Sequence, residues 1–272
     1  MLDLAGVTME RSRGEAAVGL ALSGGATRLV RLRQAGSAKA ILPRAGAVPE
    51  VVFLNTSGGL TGGDRLDLSL ALGEGAAAVA TTQTAERAYA SAGGTARVSV
   101  AIRAGARSRV AWLPQETILF ERSALHRTTR IELGAGAAGL FAEAVVLGRA
   151  AMGETPRDLR FRDERIVLRG GRPVFAEPLV IDPGAIAVAG QPAILGGARA
   201  FATVALVAQG AEDAAGPMRA LLDEPGVTAA ASGFDGRCVV RLTARDGWPL
   251  RRQILRVLAR LSPDPLPRVW PS

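Results

Sequence analysis

The sequence holds one cysteine, one histidine and one lysine in 272 residues. Each scarcity excludes something. The lone Cys238 rules out an internal disulfide and any CxxC metal site, and its place between "GR" and "VVRL" predicts a buried strand thiol. Cys238 and His126 together are too few soft ligands for a usual zinc centre, so any metal this chain handles must meet carboxylates, backbone oxygens and water. No GxSxG elbow accompanies His126, which reads as a solvated strand residue opposite Leu125. Aromatic residues are 4% and do not interleave with arginine, unlike the stacking platforms of nucleic-acid binders. Long apolar runs are missing too. The longest charge-free stretch, 184–198, is broken by Gly and Pro and is shorter than the ~20 residues of a spanning helix. The opening MLDLAGVTMERSRG lacks the apolar core of a leader. The expectation is a cytoplasmic protein with no membrane partner.

What the chain has in quantity is arginine. Of 33 basic residues one is Lys39, which leaves 32 arginines against 25 acids, for a net charge of +8. They are scattered rather than gathered in one patch, so no nucleic-acid partner is expected. An acidic protein partner would use the same charge equally well.

Alternation of apolar and polar residues dominates the pattern. "DRLDLSLAL" sets Leu66, Leu68, Leu70 and Leu72 on one face and Arg65, Asp67 and Ser69 on the other. Val98, Val100 and Ile102 repeat it, as do Thr129, Ile131 and Leu133 opposite Thr128, Arg130 and Glu132. Glycine turns at 73–76, 92–95, 103–106 and 134–137 punctuate these runs. Many short strands at this spacing predict a mainly β body. Helix signals come late, at 216–226 and 248–261. No linker divides the chain, so 1–272 reads as a single unit, strand-rich over 1–210 and mixed helix and strand over 211–272. The tail "SPDPLPRVWPS" reads as extended, with Trp270 apolar enough to dock.

The stretch NTSGGLTGGDRL, 55–66, carries Gly58, Gly59, Gly62 and Gly63. It is not a P-loop, because no lysine follows the glycines to reach a phosphate. It is not a dinucleotide loop, because a strand rather than a helix follows. It reads as a structural turn between strands, with Asp64 placed to bond nearby amides.

Five segments together resemble the urease accessory protein D family (UreD, also called UreH): LNTSGGLTGGDRLDL at 54–68, ATTQTAERAYAS at 80–91, GARSRVAWLPQETILFERS at 105–123, LGRAAMGE at 147–154 and the terminal PRVWPS. Ala90 and Glu121 depart from the family pattern. The resemblance implies stacked β-sheets wound as a right-handed β-helix-like body with a few α-helices, two of them near the C-terminus. It implies a non-enzymatic maturation scaffold that binds urease apoprotein and the accessory proteins F and G, and through G the nickel carrier E. A dimer of such heteromeric complexes is open. No tightly bound cofactor is implied, only transient nickel on an internal passage. On that passage the resemblance places Asp64, Glu143 and Glu177; the plain alternative for Glu143 is pairing with Arg149 or another arginine. Candidate partner-binding residues are Arg87 and Tyr89 in AERAYAS, Gln115 and Glu116 after Pro114, Arg252 and Arg256 on the last helix, and Trp270. Two other classes stay open on the residues alone: a β-rich, carboxylate-dependent enzyme acting on glycans, and a basic nucleic-acid module.

Overall fold

The computed structural model describes residues 11–43, 46–149 and 152–271. The chain forms a β-solenoid of about 4 turns. Each turn lays one strand in a first sheet and the next in a second. In the first sheet, β1 (Arg13–Ser23), β5 (Arg65–Leu72), β8 (Ala96–Ala104), β11 (Ala124–Leu133) and β13 (Arg160–Arg169) run parallel. β2 (Ala26–Gly36) and β14 (Arg172–Ile181) close its two edges antiparallel. In the second sheet, β4 (Glu50–Asn55), β6 (Ala77–Thr82), β9 (Arg109–Trp112) and β12 (Ala138–Leu147) stack parallel. β3 (Ala38–Ile41) lies beyond β4. β15 (Ala200–Val207), β17 (Arg237–Ala244) and β16 (Val227–Phe234) extend the other side antiparallel. Two short strands, β7 (Glu86–Ala88) and β10 (Thr117–Leu119), make a third, narrow stack beside β12.

The alternation explains this winding. Leu66, Leu68, Leu70 and Leu72 all point into the space between the sheets, each at most 4% exposed. Each such burial contributes about 1.5–3 kcal/mol relative to exposure. The turns between first- and second-sheet strands recur at Gly73, Gly105 and Gly134, and they stack. A Cβ on Gly105 would lie 2.8 Å from Gly73 C, and one on Gly134 2.8 Å from Gly105 C. Glycine is required there because successive coils touch backbone to backbone.

The second sheet is covered on both faces. Its inner face meets the first sheet. Its outer face packs against α3 (Gly247–Leu261), whose Leu250, Ile254, Val257, Leu258 and Leu261 are buried. Asp246 caps this helix by accepting from Trp248 N at 2.8 Å. Two short helices, α1 (Pro183–Ala187) and α2 (Ala215–Arg219), complete the set. The helix expected over 216–226 is shorter than its pattern suggested. α2 ends at Arg219, and Glu224 ahead of Pro225 gives its amide to Gln253 Oε1 instead of a helical carbonyl. α1 carried no expectation.

The 55–66 stretch is a loop into a strand. Leu60 N donates to Arg87 O and Tyr89 N donates to Leu60 O, tying the loop to β7. A Cβ on Gly62 would sit 2.0 Å from Ser91 Oγ and 2.3 Å from Gly93 O, whereas Gly58 has open space but a φ of +78°. Gly62→Ala should therefore lower stability by roughly 2–4 kcal/mol, and Gly58→Ala by only about 1. Urea melts of both variants check the order; equal losses would mean that the neighbours of Gly62 yield to the added Cβ and that close approach does not set its requirement.

Candidate functional site

Two rows of inward-facing side chains change character along the first sheet. One runs Leu66, Val98, Arg127, Asp163; the next runs Leu68, Val100, Thr129, Arg165, Glu177. The third, Leu70, Ile102, Ile131, Val167, Phe175, stays apolar. The later coils thus place charge where the early ones place leucine and valine. From the facing sheet Glu143 on β12 points into the same space, between Phe141 and Val145.

The result is a buried charged seam. Arg127 grips Asp163 with two donors, Nε at 2.9 Å and Nη2 at 2.7 Å, and gives Nη1 to Thr117 Oγ1 at 3.0 Å. Glu143 Oε2 lies 3.1 Å from Arg127, and its Oε1 accepts from Trp112 Nε1 and Thr129 Oγ1. Arg165 lies 3.0 Å from Asp163 and 2.9 Å from Glu177, and Arg241 donates to Glu177 at 2.8 Å. Side-chain exposure falls from 59% at Arg241 through 16% at Glu177 to 4% at Arg165 and 0% at Asp163, so the seam leads from surface to interior. Burial opposes the charge on Arg127, but Asp163 and Glu143 outweigh it and hold the guanidinium above its ordinary pKa. Burial also works against the Asp163 carboxylate, and the charge and hydrogen bonds of Arg127 and then Arg165 overcome it, so its pKa falls.

One small cavity adjoins the seam's inner end, and a second lies beyond it. The first, about 40 Å³, is lined by Glu86, Trp112, Gln115, Thr117, Arg127 and Glu143 among others. The other, about 50 Å³, reaches Asn55, Gly58, Thr84 and Arg87 at the glycine loop. Leu66, Leu68, Thr82 and Glu86 line both. Each exceeds the ~10–15 Å³ that one water needs. Glu86 is the ionisable group at the junction. Burial pushes its carboxyl up to about 7; Asn55 Nδ2 and the Arg87 amide pull it back only partly.

The sequence-predicted residues fall in several places. Glu143 and Glu177 belong to one seam, joined through Arg165. The arginine partner of Glu143 is Arg127; Arg149 pairs with Glu154 instead. Asp64 lies outside the seam. Its two oxygens accept from Ser12 N and Thr61 N, each at 2.8 Å, clasping β1 to the glycine loop. Arg87 and Tyr89 sit exposed beside that loop, the Tyr89 hydroxyl donating to Gly58 O. Gln115, Glu116 and Trp270 converge on Arg251, a residue the sequence did not single out. Arg251 donates to Gln115 Oε1 at 2.7 Å and to the carbonyls of Val269 and Trp270, stacks 4.8 Å above the Trp270 ring, and lies 3.6 Å from Glu116. Trp270 is buried at 2%, its Nε1 donating to Leu113 O. Arg252 and Arg256 pair with Glu224 and Asp223. His126 lies on the outer face, 3.7 Å from Glu164. Cys238 is buried in β17, and burial raises its pKa. Among the described residues no three His, Cys, Asp or Glu side chains are grouped to hold a metal ion, and no helix is long and apolar enough to cross a membrane.

The family profile described as UreD urease accessory protein matches residues 12–271. The chain belongs to the UreD urease accessory protein family. Named relatives agree. The urease accessory protein UreD of Cereibacter sphaeroides is 64% identical over 263 residues, covering 96% of each chain. That of Paracoccus denitrificans is 50% identical, covering 98% of this chain and 95% of its own. The one from Jannaschia is 46% identical over 99% of both. The UreD match takes in the seam, both cavities and the Arg251 contacts.

Glu86 gives a pH test. The folded carboxyl keeps its proton to about pH 7, whereas an unfolded one releases it near 4.5. The folded state therefore binds more protons between those values, and stability drops as pH rises through that window. Glu86→Gln removes the penalty. It should exceed the parent's stability by roughly 1–3 kcal/mol at pH 8 and match it near pH 4. Chemical melts at both values check this; a pH-independent difference would show that Glu86 ionises freely in the fold.

Proposed function

We propose that this chain is a non-catalytic scaffold in urease maturation, acting in the cytoplasm. It binds urease apoprotein together with the accessory proteins F and G, meets the nickel carrier E through G, and lets nickel pass along its interior to the urease active site. Family membership supports the maturation role. The observation that carries the passage is the buried seam from Arg241 and Glu177 to Glu143 and Arg127, continued by two cavities that share Glu86.

The chemistry of the seam suits a cargo that enters and leaves. Its arginines keep Asp163 ionised without a proton, so a cation meets carboxylate oxygens directly. The same arginines offset the carboxylate charge: Arg127, Arg165 and Arg241 stand against Glu143, Asp163 and Glu177. Oxygen donors already engaged by guanidinium hold a borderline divalent ion weakly, which favours transit over storage. Asp64 enters this reading through the loop it fixes at the mouth of the Gly58-lined cavity. Glu143, Asp163 and Glu177 are each held by arginine rather than facing an open groove, which favours the scaffold over a carboxylate-pair glycan enzyme.

The test is Glu143→Gln, which keeps the side chain's shape and an acceptor for Trp112 and Thr129. Urease activated with this variant should assemble with its accessory proteins normally. Its nickel content should fall roughly two- to tenfold at limiting nickel, which corresponds to about 0.4–1.4 kcal/mol. Metal analysis of the purified urease reads it out. Full nickel loading with Glu143→Gln and with Glu177→Gln would remove the seam from the route and leave the scaffold role alone.

A further inference from the structure

β2 is the terminal strand of the first sheet, and among the described residues it pairs only with β1. It is eleven residues long and exposed along nearly all of its length. Its two faces differ. Leu29 and Leu32 lie beside Leu20 and Val18, on the side that elsewhere faces the second sheet. The second sheet's last strand, β3, has only four residues, and Leu29 and Leu32 remain 44% and 42% exposed. Arg28, Arg31 and Arg33 lie beside Ala21, Gly19 and Ala17 on the opposite face. The register shifts between Gly19 and Leu20, which leaves Val30 as the extra residue, 65% exposed. Arg33 pairs with Glu15; Arg28 and Arg31 form no ion pair among the described residues.

A long free edge with exposed apolar side chains is a template for another strand; the bulge at Val30 and the cations blunt it against like strands but not against one of opposite charge. The arginines decide what can pair. A second copy of β2 would bring Arg28, Arg31 and Arg33 against the same cations across the new strand pair, which disfavours pairing. An acidic strand meets the opposite sign. We propose that β2 is a strand-addition site for an extended segment of a partner protein that alternates acidic and apolar residues. Main-chain hydrogen bonds to the free edge give affinity, carboxylates set against Arg28 and Arg31 give register, and apolar side chains cover Leu29 and Leu32. The site lies apart from the buried seam, and the proposal holds whether or not nickel passes through the interior.

The probe is a short fluorescent peptide of alternating glutamate and valine, titrated against the full chain and read by anisotropy. Binding should weaken as salt rises. A copy of the peptide N-methylated on alternate residues keeps the charge and apolar groups but cannot pair with a strand, and it should not bind. Arg28→Glu with Arg31→Glu should weaken the glutamate peptide about tenfold and bind a lysine–valine peptide instead. If the double variant fails to fold by circular dichroism, the methylated comparison on the parent chain decides. Equal binding of the methylated peptide would overturn strand addition. Absence of binding at low salt would overturn the site. Dimerisation of the parent chain that Val30→Pro abolishes would make a second copy the occupant and overturn the acidic partner.

Discussion

Arg127 and Asp163 face each other on neighbouring strands, at the centre of a charged cluster set among leucine, valine and phenylalanine. Removing two such charges from water costs several kcal/mol per ion, and only close geometry with further hydrogen bonds repays it. Here the geometry is bidentate, and the spare donors and acceptors go to Thr117, Glu143 and Arg165. That arrangement depends on the register of β11, β12 and β13 together. A one-residue slip of β13 would turn Asp163 and Arg165 outward and bring Arg162 and Glu164 in, breaking the bidentate pair and leaving Arg127 with Glu143 alone among its present acids. The ion pairs thus fix how the later coils stack, while the early coils are fixed by leucine rows.

From this interior the structure builds outward asymmetrically. The first sheet shows solvent a face of arginines and acids in short-range pairs such as Arg65 with Asp67 and Arg162 with Glu164. The second sheet hides its outer face under α3 and the terminal Trp270. Arg251 joins these parts, since one guanidinium holds Gln115 from the coil, the last carbonyls of the tail and the Trp270 ring. A groove of about 300 Å³ runs beside it, lined by Ile118, Val146, Trp248 and Leu250. Contacts at the coil segment after Pro114 are therefore linked mechanically to the helix and the tail.

Much of this was readable from residue order. Alternation in DRLDLSLAL fixed which leucines face inward, and the glycine turns at 73–76, 103–106 and 134–137 mark the stacked corners. The seam was half legible. Glu143 stood out because it interrupts an apolar run. Arg127 carried the same signal, since period two puts it on the face of Leu125 and Ile131, and Asp163 and Arg165 sit likewise between Phe161 and Val167. What order alone could not supply was pairing across the chain: that Glu143 meets Arg127, that Glu177 meets Arg165 and Arg241, and that both oxygens of Asp64 are taken by amides of Ser12 and Thr61. Glu86 was invisible for another reason. Its carboxyl is set apart by burial between two cavities, which depends on coils distant in sequence. The end of α2 at Arg219 was missed because Glu224 finds a tertiary partner in Gln253.

The measurement that bears most directly on this account is co-purification. The tagged chain is expressed with apo-urease and the accessory proteins F and G, together and singly, and the eluted species and their ratios are determined. The account predicts that the chain elutes with its partners in a fixed ratio. A folded chain that elutes alone, indifferent to all three, would contradict the scaffold role.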